Sequence, residues 1–170
     1  MNVAYLKQLM ATQAELIRHL VADVSDDQAR WKPDPGRWSI LEVINHLYDE
    51  EREDFREHLD MILHRPDDAW HPIRPFEWIT EREYNTRDLA SSLQNFLAER
   101  RASLAWLEGL AAPDWDVSIQ APWDAPMRAG DMLASWAVHD QWHIQQLVRL
   151  RRDYTIAQVA PYEVEYAGTL

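Results

Sequence analysis

Residues 31–47 read Trp31-Lys32-Pro33-Asp34-Pro35-Gly36-Arg37-Trp38-Ser39-Ile40-Leu41-Glu42-Val43-Ile44-Asn45-His46-Leu47. The passage turns from loop to helix within a few residues. Pro33 and Pro35 exclude a helix interior ahead of Gly36, because proline lacks an amide donor and its ring clashes with the preceding turn. Ser39 and Glu42 then carry a start signal in which each side chain can satisfy the other residue's free backbone amide, with Trp38 and Val43 bracketing the box as a hydrophobic staple. Ile40, Val43, Ile44 and Leu47 give the following helix an apolar face. Glu42 thus reads as a cap rather than a catalytic acid, and His46 rides about 10 Å along the same helix.

The same punctuation recurs along the chain. Prolines at 33, 35, 66, 72, 75, 113, 122, 126 and 161 leave helix-permitting windows over 1–32, 36–65, 76–112 and 127–160. Gly36, Gly109 and Gly130 lie near window edges, where a helix breaker costs least. Apolar residues recur at helical spacing in every window: Leu6, Leu9, Leu16 and Leu20; then Ile40 to Leu47 continued by Phe55, Leu59 and Ile62; then Leu89, Leu93, Phe96, Leu97, Leu104 and Leu107; and last Met132, Trp136, Leu147 and Leu150. The pattern predicts an all-α chain folded as a four-helix bundle. The connectors 65–83 and 111–130 could each run back along a helix of about 30 Å, so a crossover and simple up-down winding both fit. The bundle is expected over 1–152, with 153–170, which holds Tyr154, Tyr162 and Tyr166, as a tail packed on it or at a dimer interface.

Composition narrows the function classes. The chain has 170 residues, 46% of them hydrophobic, which is enough for one domain with a real core. It has no cysteine, so a thiol nucleophile and a cysteine-ligated zinc are excluded, and any metal must sit on imidazoles and carboxylates. Seventeen Lys and Arg against 29 Asp and Glu give a net charge of -12, with no basic patch, so neither nucleic acid nor an anionic membrane is an expected partner. Lys7, Glu15, Arg18 and His19 interrupt the first twenty residues, which fits neither a signal peptide nor a membrane span. A cytoplasmic protein is expected. The acidic run Asp49 to Asp60 contains the pairs Asp49/Arg52 and Glu53/Arg56 at i,i+3 spacing and reads as a solvated helix face.

Seven histidines stand at 19, 46, 58, 64, 71, 139 and 143, and within a helical window only His139 and His143 are four apart. At 100° per residue they share a stripe with Met132, Trp136, Leu147 and Leu150, so both point at the bundle interior. Buried imidazoles need partners, and two on successive turns can grip one ion through neutral nitrogens. A third ligand is chosen by height. His46 lies level with the pair whether its helix runs parallel or antiparallel to theirs, whereas His58 lies about 28 Å along and matches neither case. His46 falls on the flank of its apolar stripe, which suggests a groove open to solvent. The competing reading is two core histidines bonded to polar neighbours and one surface histidine. Glu50 and Glu53 are read as helix-surface charge, or as supporting groups of the site.

The segment 31–47 together with His139-Asp140-Gln141-Trp142-His143-Ile144-Gln145-Gln146-Leu147 resembles the DinB/YfiT-like metalloenzymes, and the resemblance spans nearly the whole chain. It implies a four-helix bundle with a crossover and one divalent ion, zinc or nickel, on His46, His139 and His143. Gln146 matches a glutamine often found after the second histidine of the pair, which makes it, with Glu50, a candidate to support the ligands. Many relatives carry a further histidine where this chain has Trp142.

Three neutral imidazoles leave an ion its full charge and at least one open position, the arrangement of a catalytic site. The related thiol-dependent S-transferases make thiol transfer to an electrophile the first expectation, with a low-molecular-weight thiol as co-substrate and a homodimer as an allowed assembly. A metal-dependent amide or ester hydrolase is the alternative, and a metal-binding or interaction bundle without turnover is a third reading. Trp31, Trp38, Trp70, Trp78, Trp115 and Trp123 lie in or beside the connectors, where they read first as plugs of the bundle ends and second as an aromatic-walled mouth for an apolar small-molecule substrate.

Overall fold

The computed structural model describes residues 1–168; Thr169 and Leu170, the end of the expected tail, lie outside the described residues. Helix α1 spans Val3–Val21 and is followed by a short α2, Asp26–Arg30. The second window forms one rod: α3 (Ile40–Asp49), a widened π-helical stretch (Glu50–Phe55) and α4 (Arg56–His64). A short α5, Pro75–Glu81, interrupts the next connector. The long helices α6 (Leu89–Gly109) and α7 (Ala129–Val159) complete the bundle.

Local chemistry accounts for the boundaries. At the start of α3, Ser39 Oγ accepts from the Glu42 amide at 3.1 Å and Glu42 Oε2 accepts from the Ser39 amide at 2.8 Å, the expected reciprocal box. Lys32 adds an ion pair to Glu42 at 2.6 Å. Asp88 caps α6 through the Ser91 amide at 2.7 Å. Before α7 a small hairpin, β1 (Ser118–Gln120) and β2 (Pro126–Arg128), pairs Ile119 with Met127. Gly130 suits this close approach, since a Cβ would sit only 3.0 Å from the Trp115 carbonyl oxygen that its amide donates to.

Helix α1 packs on α6 and α7, and the rod packs on the same two, so α1 and the rod occupy opposite corners. Cross-links give the directions. Gln13 donates to the Ala137 carbonyl and Arg151 to that of Leu20, so α1 and α7 are parallel. Asn45 donates to Ser92, Arg100 to Glu51 and Arg56 to Ser103, so the rod and α6 are also parallel. Trp136 reaches Glu51 while His143 meets His46, which makes α7 antiparallel to the rod. Parallel rod and α6 require the 65–88 segment to cross the length of the bundle, the crossover of the sequence expectation. Asp49, 1% exposed, pins that segment by accepting from Tyr84 Oη at 2.5 Å and pairing with Arg82 at 2.7 Å.

Two core clusters fill the bundle, one around Ile17, Ile44, Phe96 and Leu147, the other around Met10, Leu59, Leu133 and Trp136. In α1 the buried face is Met10, Gln13, Ala14, Ile17 and Val21, whereas Leu16, placed on the core stripe by its spacing, is exposed. Helix α7 continues past residue 152 to Val159, and Tyr154 packs edge-on against Trp31 at 5.5 Å. Among the described residues no helix is long and apolar enough to cross a membrane.

Candidate metal centre

The antiparallel packing of α3 on α7 brings His46 level with His139 and His143. Their Nε2 atoms form a triangle with edges of 3.3 Å (His46 to His139), 3.1 Å (His46 to His143) and 3.1 Å (His139 to His143). His46 is 4% exposed and His143 9%, while His139 is half-buried. The groove is therefore less open than the flank position of His46 suggested, and solvent reaches the cluster on the His139 side.

Hydrogen bonding fixes how one of the rings presents itself. Gln146 Oε1 can only accept, so His143 donates its Nδ1–H to it at 2.8 Å and keeps a lone pair on Nε2. His46 Nδ1 is buried without a hydrogen-bond partner and faces Glu50 Oε1, also unpartnered, at 3.7 Å. Burial pushes the His46 imidazole well below its ordinary range, and the two neighbouring histidines add to that shift. Burial takes His139 down to about 3, with His143 and then Arg100 contributing, and lowers His143 as well. Glu50 moves the other way, up to about 9, through burial first and then the nearby Asp54, Asp49 and Glu53 carboxyls.

Three uncharged imidazoles turn their Nε2 atoms to one point, and these three can hold a metal ion. Their spacing suits one: tetrahedral Zn–N bonds of about 2.0–2.1 Å place ligand nitrogens about 3.3 Å apart. The donor set fits a borderline ion such as zinc or nickel.

Aromatic rings enclose the cluster. Trp38 stacks over His143, at 6.1 Å and 7° between planes, and meets His46 edge-on at 4.8 Å, with the exposed Phe76 against its far side at 5.9 Å. Phe55 approaches the His139 ring to 4.9 Å from the opposite wall. Of the six connector tryptophans, Trp38 alone packs on the three site histidines among the described residues. Trp70 and Trp123 pair with each other at 5.4 Å away from the site, and Trp78 is buried in the crossover.

The acidic run is not the solvated face that its spacing suggested. Asp49, Glu50, Glu51 and Asp54 are all buried. Asp49 lies in the regular part of the rod and is covered by the crossover segment, while Glu51 and Asp54 fall on the inner side and meet specific partners there. Asp49/Arg52 does form, at 3.1 Å, but Arg56 goes to Glu99 at 2.7 Å and Glu53 to Arg82 at 2.7 Å instead of to each other. Glu51 accepts two bonds from Arg100 and one from the Trp136 indole at 2.9 Å, and Arg100 also holds Asp140 through two bonds. Asp54 holds the fully buried His58, which stacks on Trp70 at 3.9 Å and lies in a separate cluster. Sequence reasoning missed Arg100, Glu51 and Phe55. A buried arginine leaves no periodic mark; Glu51 and Phe55 do fall on the apolar side at 100° per residue, but the charge pairing of the run read Glu51 as surface and the stripe gave Phe55 only a core role.

Comparison with known proteins gives a consistent picture. A family model described as the DinB superfamily matches residues 8–147. A "putative metal-dependent hydrolase" of Oceanobacillus iheyensis is 24% identical over 142 residues, which is 82% of this chain and 81% of that one. Among solved structures, YfiT from Bacillus subtilis, described as a probable metal-dependent hydrolase with an unusual four-helix bundle topology, superposes with a TM-score of 0.79 at 18% identity, covering 89% of this chain and 87% of its own.

Proposed function

The chain belongs to the DinB superfamily, and from that premise we propose that it is a metal-dependent hydrolase of a small-molecule amide or ester, with His46, His139 and His143 as the metal ligands. The observation that carries the reading is the triangle of Nε2 atoms with edges of 3.1 to 3.3 Å, assembled from two antiparallel helices and free of any carboxylate. The name of the Oceanobacillus relative supports hydrolysis. That support moves hydrolysis ahead of the thiol-dependent S-transfer expected from sequence.

A divalent ion held by His46, His139 and His143 would supply Lewis acidity and would lower the pKa of water toward about 7. The chain's own residues do the rest. Burial keeps the three imidazoles unprotonated and ready to donate lone pairs. Gln146 fixes the tautomer and rotation of His143, and the Glu50 carboxyl stands within reach of His46 Nδ1 after a small ring adjustment. Trp38 covers two of the three rings and excludes water from that side, which leaves the His139 side as the approach for substrate.

Turnover of 4-nitrophenyl acetate by tag-free protein tests the proposal. The expected result is hydrolysis that stops on chelation, returns with zinc or nickel, and falls about tenfold or more in His143→Ala. Turnover indifferent to chelator and to His143→Ala contradicts it.

A further inference from the structure

Helix α7 carries two stripes side by side. His139 and His143 form one; Ala134, Val138 and Trp142, again at i,i+4 spacing, form the other about 100° round the helix at the same height. Phe55, the last residue of the π-helical stretch, faces the second stripe from across a depression of about 430 Å³ that Ser135 and His139 also line. Its ring is held in place by stacking on Trp136 at 5.8 Å and 7°. We propose that this depression seats an uncharged, apolar acyl or aryl arm of the substrate, extending from the metal centre along α7.

Three observations carry the proposal. The depression is continuous with the metal centre, because His139 lines it and reaches the triad through Nε2. Trp142 is 67% exposed and Val138 48%, so neither is occupied in packing the chain itself, in a molecule whose net charge is -12 and whose mean hydropathy is -0.50. The wall residues are apolar apart from Ser135 and His139 and include no ionised side chain, which matches a neutral arm and not a carboxylate or phosphate.

The inference rests on the metal-dependent hydrolase reading, and calorimetric titration of the zinc-loaded protein with two hydroxamic acids separates the two. Acetohydroxamate reports the metal centre alone; 4-phenylbutyrohydroxamate adds an apolar arm. The second is expected to bind about tenfold tighter. Trp142→Ala and Val138→Asp are each expected to reduce that ratio to below about threefold while leaving acetohydroxamate affinity unchanged. Equal affinities in the unmodified protein, or a ratio that survives both substitutions, overturn the subsite and leave the metal centre standing. Failure of both compounds to bind a protein that retains no zinc overturns the metal centre and the subsite together. A dimer in sedimentation velocity that Trp142→Ala dissolves assigns the stripe to a second copy and also overturns the proposal.

Discussion

Gln146 and Arg100 show how differently two side chains near the same site are tied to it. Gln146 touches His143 directly, and its loss frees the ring to rotate and to change tautomer. Gln146→Ala is therefore expected to weaken zinc about 10- to 100-fold in competition with a chromophoric chelator, with little change in thermal stability. Among the described residues Arg100, 2% exposed, is the one cation bonded to both Glu51 and Asp140 where neither can reach water. Arg100→Met leaves two buried carboxylates without a counter-charge and is expected to cost about 3–5 kcal/mol in urea unfolding, part of which Glu51→Gln should restore. An unchanged unfolding midpoint would show that the network contributes nothing. The two residues also mark what single residues reveal before folding. His139 and His143 share a stripe that a helical wheel exposes, and Gln146 follows them by one turn. Arg100 meets Glu51 and Asp140 from 49 and 40 positions away, and no local pattern predicts that meeting.

The rod from Ile40 to His64 is the element on which the site depends, and its two halves were not equally readable. The start at Ser39 was plain, because a capping box is a local exchange of two hydrogen bonds. Ser39 is also fully buried and donates its hydroxyl proton to Asn85 Oδ1 at 2.7 Å, which ties the cap to the end of the crossover. Ser39→Ala is expected to lower stability by about 1–2 kcal/mol. A loss of less than about 0.3 kcal/mol would contradict the role assigned to the cap. The stretch Glu50–Phe55 had no comparable signal. The widening leaves no mark in the residues, although a 3.6-residue period carried through from Ile40 already puts Glu51, Asp54 and Phe55 on the apolar side; what the period cannot show is that Arg100 and the Trp136 indole meet Glu51 there.

Across the whole molecule, the prolines announced four helices, but the chain could not say which of its two long connectors crosses the bundle. That choice is made by partners far apart in sequence, Asp49 with Tyr84 and Arg82, which hold the 65–88 segment against α3. The resulting arrangement, with α1 parallel to α7 and the rod parallel to α6, sets the three histidines at one height between two antiparallel helices. An ion there would link α3 to α7 in the folded state only, so chelation is expected to lower the melting temperature by roughly 5–15 °C, and a melting temperature that ignores chelator would speak against a bound ion. The claim on which the rest depends is that His46, His139 and His143 hold one divalent ion. Anomalous diffraction above the zinc absorption edge, from crystals grown with zinc, tests it most directly. The predicted result is a single strong peak about 2.0–2.2 Å from the Nε2 atoms of all three histidines; a map with no peak between those nitrogens, or with zinc held only by surface carboxylates, would contradict it.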